Sequence, residues 1–159
     1  MAVATFGAGC FWGVEYFFNE IDGVESTVCG YMGGNDKAIT YEEVKQGNTG
    51  HAEVVQVTFD PELVSYETLL AVFWQNHNPT TLNQQGGDIG SQYRSCVFFH
   101  DQSQKQQAEA AKLALIKSGK WGIRQIVTEI VPVLTFHQAE EYHQQYLAKN
   151  NLPSCHISY

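Results

Sequence analysis

Among the side chains able to do chemistry, Cys10 has the most distinctive surroundings. It stands in Gly9-Cys10-Phe11-Trp12-Gly13, bracketed by glycines and followed by two large aromatics. An apolar run over residues 2–8 closes on Gly7-Ala8-Gly9, and from residue 10 Phe11, Val14, Phe17 and Phe18 recur at helical spacing. This predicts a strand turning into a helix over 10–19, with Cys10 at the junction. The first amides of a helix have no partners within it and carry partial positive charge. A thiolate is favoured there, and its pKa falls below the free value of about 8.5. The chemistry on offer is nucleophilic attack by sulfur. Phe11 can pack inward, whereas Trp12 is left beside the sulfur as a wall suited to a small apolar group such as a methyl. The competing role for Cys10 is that of a small buried core residue.

Other reactive types have plainer settings. Glu53, in Gly50-His51-Ala52-Glu53-Val54-Val55, heads an apolar strand. It is either an exposed strand-end carboxylate or an acid whose pKa is raised by burial. His51 or His143 could act as a base for Cys10, as in a Cys–His hydrolase, but a lone His of this kind is more commonly a hydrogen-bonded structural residue. His137, Glu140, Glu141 and His143 have spacings that metal ligands use on a helix, although their segment reads as exposed. Cys29 and Cys96 lie inside strand patterns and are expected to be packed. Four cysteines without a Cys-x-x-Cys pair do not make a disulfide scaffold, so a reducing, cytoplasmic setting is expected.

The elements that position these groups follow from periodicity and turn residues. Strands are predicted over 2–8, 25–31, 52–59, 95–100 and 128–133. Helices are predicted over 10–19, briefly around 41–46, after the Ser65 cap through Leu69–Trp74 positions, from Asp101 to about 118, and over 140–149. A long Gly-containing loop occupies 78–93, a length that in compact domains is usually functional. The last ten residues show no periodicity. Strand, helix, strand, strand, helix, strand is the split βαβ order, so the fold class is α+β. The expected form is a ferredoxin-like two-layer sandwich with extra helices and an irregular C-terminal tail, in one domain over 1–159.

Composition excludes several functions. A net charge of −8 with nine Lys and Arg and no basic run argues against nucleic-acid binding. No apolar stretch approaches the roughly 18 residues of a membrane span, and the N-terminus lacks the charged start of an export signal.

The run Gly9-Cys10-Phe11-Trp12-Gly13 after a short strand resembles the active-site signature of A-type peptide methionine sulfoxide reductases. Further matches span nearly the whole chain in family order: Gly30-Tyr31-Met32-Gly33-Gly34, Thr40-Tyr41-Glu42-Glu43-Val44, Thr49-Gly50-His51-Ala52-Glu53, Asn76-His77-Asn78-Pro79-Thr80, Gln85-Gly86-Gly87-Asp88-Ile89-Gly90, Gln92-Tyr93-Arg94-Ser95 and Ala139-Glu140-Glu141-Tyr142-His143-Gln144-Gln145-Tyr146-Leu147. The resemblance implies a cofactor-free enzyme, acting as a monomer, that reduces the S-epimer of methionine sulfoxide in proteins or as the free amino acid. It implies that Cys10 attacks sulfur, that Phe11 and Trp12 bind substrate, and that Glu53 protonates the oxygen. Tyr41 and Tyr93 would share that oxygen, and Asp88 would support the hydrogen-bond network. Cys155, in the irregular tail, would resolve the Cys10 sulfenic acid as a disulfide, which thioredoxin would reduce. Other readings are a peroxidase, a cysteine hydrolase, or a metal-binding module using Cys10 and Cys155.

Overall fold

The computed structural model of the chain describes residues 1–35, 39–152 and 159. Strand β1 (Ala2–Ala8) leads into helix α1 (Phe11–Asn19), then β2 (Val24–Met32), a short α2 (Tyr41–Lys45) and β3 (Ala52–Phe59). Helix α3 (Tyr66–Gln75), the two-residue strands β4 (Gln84–Gln85) and β5 (Asp88–Ile89), β6 (Ser95–Phe99) and the long α4 (Gln102–Lys117) follow. Then come β7 (Glu129–Pro132), β8 (His137–Gln138) and α5 (Tyr146–Lys149), the last element among the described residues.

The main sheet has the order β7-β6-β1-β3-β2-β8. Its inner four strands pair antiparallel, β1 with β3 and β6, and β3 with β2. This is the ferredoxin-like arrangement that the element order predicts. To it are added β7, parallel to β6, and β8, antiparallel to β2. Both β1 and β3 are central, so alternate residues of β3 face two cores. Val55, Val57 and Phe59 face the helices, whereas Ala52 and Val54 join Met32, Cys96 and Phe98 on the opposite face. Glu53 shares the parity of Val55 and so faces the helical side.

Aromatic burial fixes α1 and α3 on that side. Phe6 of β1 stacks on Phe18 at 4.9 Å and on Phe73 at 5.2 Å, with Tyr66 at 5.9 Å. Each fully buried side chain of this size contributes about 1.5–3 kcal/mol, so α1 is seated by packing before any polar contact is counted. Local caps agree. Ser65 Oγ accepts from the Thr68 amide at 3.1 Å, and Asp101 Oδ1 accepts from the Gln104 amide at 2.8 Å.

Two expectations are corrected at the C-terminal end. Residues 140–149 do not form one helix: a 3-10 turn at Glu141–His143 is followed by α5 alone, with Gln145 between them at φ 56°. Nor is this segment exposed throughout: Ala139, His143, Gln144 and Leu147 are buried, while Glu141, Tyr142 and Lys149 face solvent. The physical reason is that Gln144 serves the sheet. Its Oε1 accepts from the Cys29 amide at 2.8 Å, and its Nε2 donates to the Cys29 and Ala139 carbonyls, each at 3.0 Å. The side-chain amide thus continues the edge of β2 where β8 ends. Strand β8 itself, two residues long, has no periodic signature.

Candidate active site

Cys10 is the N-cap residue of α1 and is half-buried. Its carbonyl accepts from the Gly13 and Val14 amides at 3.2 and 3.3 Å, and its side chain does not cap the helix. Gly9 precedes it at φ 97°, a conformation that favours glycine, and lets β1 turn abruptly into α1. Gly7 is needed for a different reason, because a Cβ there would stand 2.6 Å from Cys96 Sγ on the neighbouring strand.

Glu53 is only 1% exposed, and its Oε1 accepts from the amide of Phe11 at 3.1 Å. The carboxyl is therefore bound one residue from Cys10, on a first-turn amide. Burial opposes charge on Glu53 while that bond favours it. Tyr41, the first residue of α2, and Tyr93, the last of the 3-10 turn Ser91–Tyr93, are both half-buried. Burial, then the negative charges of Glu53 and Cys10, push the Tyr41 hydroxyl up to about 12. Tyr93 is raised as well, by burial first and then by Glu53, Tyr41, Asp88 and Cys10. Both hydroxyls therefore remain protonated hydrogen-bond donors at neutral pH. Asp88, on the exposed β4–β5 hairpin, acts on Tyr93 through its field. The structure thus sets Glu53 on the amide next to Cys10, Tyr41 and Tyr93 in the field of both, and Asp88 in the field of Tyr93. Cys155 lies outside the described residues.

Phe11 is wholly buried, with its ring 5.6 Å from Tyr31 and 5.1 Å from His143. It forms the floor behind Trp12, which is half-buried. Trp12 is fixed from two sides: Tyr146 stacks on it at 3.8 Å, nearly parallel at 11°, and its Nε1 donates to His143 Nδ1 at 2.9 Å. An indole nitrogen only donates, so His143 Nδ1 must accept. Burial lowers the pKa of His143, consistent with a neutral ring. A cavity of about 200 Å³ opens beside Trp12, lined also by Glu15, Asn19 and Gln145, and none of Cys10, Glu53, Tyr41 or Tyr93 lines it.

Sequence reasoning missed how far the 139–146 stretch builds the site. Glu140 Oε2 accepts from the Tyr41 amide at 3.1 Å and its Oε1 from the Tyr31 hydroxyl at 3.0 Å. Glu140 thereby holds the start of α2, and His143 holds Trp12. Their spacing on the sequence suggests metal ligation, but these bonds give both residues other work. Among the described residues no three His, Cys, Asp or Glu side chains are grouped to hold a metal. His51 is buried beside the start of β3, where Nδ1 accepts from the Gly34 amide at 3.1 Å and the His137 ring is 5.1 Å away. Cys29 and Cys96 are fully buried.

The chain matches the family model described as "Peptide methionine sulfoxide reductase" over residues 2–159. It is 57% identical over 154 residues to a peptide methionine sulfoxide reductase MsrA of Methanothermobacter thermautotrophicus, covering 97% of this chain and 90% of that one. Among solved structures it is similar to Mxr1 of Saccharomyces cerevisiae in reduced form, with a TM-score of 0.88 and 36% identity, covering 99% of this chain and 91% of the other. The same yeast protein in complex with Trx2 aligns at a TM-score of 0.62 and 26% identity, over 99% and 88% of the two chains. A signature cysteine at a helix cap, the mixed six-stranded sheet and similarity along the full chain agree, and the chain belongs to the MsrA family of peptide methionine sulfoxide reductases.

Proposed function

We propose that Cys10 and Glu53 carry the chemical step of this reductase. The thiolate of Cys10 attacks the sulfur of the S-epimer of methionine sulfoxide, in a protein or as the free amino acid. Glu53 delivers a proton to the oxygen as the S–O bond weakens. Tyr41 and Tyr93 donate hydrogen bonds to the same oxygen, and Asp88 supports Tyr93. The oxygen leaves with Cys10 as a sulfenic acid, and the substrate departs as the thioether. The observation that carries this reading is the bond from the Phe11 amide to a Glu53 carboxyl that is almost fully buried. A buried acid beside a helix-cap thiol supplies the proton and the nucleophile to one small volume. Trp12, with Phe11 beneath it, offers an apolar face to the substrate methyl.

Turnover then needs two electrons. The thiol of Cys155 attacks the sulfenic sulfur, water leaves and a disulfide forms. Support comes from the tail's place in the chain, directly after α5, whose first residue Tyr146 stacks on Trp12. A dithiol protein of the thioredoxin type reduces that disulfide, in line with the yeast relative's complex with Trx2. All groups named come from one 159-residue domain, so the cycle needs no second copy, and its dependence on free thiols suits a reducing, cytoplasmic setting.

Mass spectrometry of the protein after exposure to each sulfoxide epimer without reductant tests the scheme. The S-epimer should convert one Cys10 per chain, seen as a Cys10–Cys155 disulfide in the wild type and as sulfenic acid in Cys155→Ser. Cys10→Ser should abolish thioether formation. Thioether release by Cys10→Ser at the wild-type rate would remove the mechanism.

A further inference from the structure

Glu15 is a second buried carboxyl, 1% exposed, and the cycle above does not use it. It lies three residues after Trp12 on α1. Each group hydrogen-bonded to it donates. Its Oε1 accepts from the Gln145 amide at 2.6 Å and from the Cys29 thiol at 3.4 Å. Its Oε2 accepts from the Thr27 hydroxyl at 2.8 Å and from Gln145 Nε2 at 2.9 Å. Burial raises the carboxyl's pKa, and its bonds to Thr27, Gln145 and Cys29, followed by the charge of Lys149, oppose that rise. A buried carboxyl is costly unless its oxygens are satisfied, and here both are.

Two of the four bonds converge on Gln145. That residue has a left-handed backbone at φ 56°, which side-chain-bearing residues adopt rarely. Its amide group is oriented from the far side, because Asn19 Nδ2 donates to Gln145 Oε1 at 2.7 Å, leaving Nε2 to face Glu15. Immediately after Gln145 comes Tyr146, stacked on the Trp12 ring. Two residues before it is His143, which accepts the Trp12 indole proton. Glu15 therefore pins the residue between the two groups that set the orientation of Trp12.

We propose that Glu15 is a positioning residue for sulfoxide binding: by holding Gln145 on α1 it keeps His143 and Tyr146 in place, and so presets Trp12 to receive the substrate methyl. The inference rests on the proposed role of Trp12. A merely space-filling Glu15 would tolerate an amide of the same shape. Glu15→Gln, however, replaces one of the two accepting oxygens with an NH₂ group, so either the Gln145 amide or Gln145 Nε2 faces a donor in place of its acceptor. Gln145→Glu sets two carboxyls face to face. The double variant again pairs one donor with one acceptor, their positions exchanged.

Two readouts separate this inference from the reading beneath it. The first is the indole N–H resonance of Trp12 in the ligand-free protein, assigned by its loss in Trp12→Phe. It should shift in Glu15→Gln and in Gln145→Glu and return toward the wild-type position in the double variant. The second is single-turnover reduction of methionine (S)-sulfoxide. Each single variant should raise the half-saturating sulfoxide about tenfold, as expected for loss of a charge-assisted hydrogen bond, with the limiting rate within about twofold of wild type. The double variant should recover most of that loss. An unmoved indole resonance, or a double variant worse than both singles, would overturn the positioning role. Gln145 is half-exposed, so Gln145→Glu and the double variant carry the test even if Glu15→Gln does not fold. A shifted indole resonance with an unchanged half-saturation would instead sink the role of Trp12 in substrate binding and leave the anchoring of Gln145 standing.

Discussion

Trp12 is where two differently built stretches meet. Residues 2–19 form a strand, a glycine turn and a helix that hold themselves by burying Phe6, Phe11, Val14 and Phe18. Residues 137–149 form a two-residue strand, a 3-10 turn and a single helical turn. Side chains bonded to distant backbone hold this second stretch: Gln144 to Cys29, Glu140 to Tyr41, and Gln145 to Glu15 on α1. Apolar periodicity builds the stretch that carries the nucleophile, and specific polar contacts build the one that backs it. The first should therefore fail in chemistry when altered, and the second in stability and geometry.

The largest effect should follow from Glu53→Gln. Removing a positioned general acid costs about 10²–10⁴-fold, and single-turnover kinetics should show that loss in the limiting rate with little change in half-saturation. An unchanged limiting rate would detach Glu53 from the chemistry and leave the Cys10 of the first stretch without the acid bound on its helix. Next comes Gln144→Ala, which leaves the Cys29 amide and the Ala139 carbonyl without their side-chain partner, while the Cys29 carbonyl still accepts from the Ala139 amide. Leaving buried polar groups unsatisfied costs about 1–3 kcal/mol each, so urea unfolding should show a loss of roughly 2–4 kcal/mol. A loss below about 0.5 kcal/mol, the range of ordinary surface changes, would mean that the second stretch is held by packing after all.

The smallest effect concerns pH. Burial lowers the pKa of His143 in the folded protein, so the unfolded chain binds a proton there more readily. The stability that His143 contributes is present above its unfolded pKa of about 6.5 and is lost as pH falls through the lower folded value. His51 and His100 are lowered in the same direction, also by burial first. Stability should therefore decline from about pH 7 toward pH 5. His143→Gln should flatten part of that decline while costing some stability at pH 8. An equally steep decline in the variant would show that His143 is not among its causes.

The same contrast explains what could be read from the residues in order. Strand β3 over Ala52–Phe59 and the cap at Asp101 follow from alternation and from the cap's own chemistry. The helix start at Cys10 follows from the glycines and the aromatic spacing. Glu53 is different, since strand parity places it on the helical face but only tertiary packing buries it. The broken helix at 140–149 has good local propensity, and the bonds that break it reach residues more than 100 positions away. Such bonds leave no periodic trace. Family resemblance brings those residues forward as a motif without saying what they hold.

The two strand thiols have a further consequence. Burial, and then the charge of Glu15, pushes Cys29 well above the ordinary thiol range, and burial holds Cys96 at about 12. Burial disfavours the thiolate at both positions, and neither sulfur is open to solvent. The enzyme thus carries two sulfurs that neither peroxide nor a stray sulfenic acid can readily recruit. Mispaired disulfides are suppressed by the architecture of the sheet, and electrons entering the molecule are left with few wrong places to go.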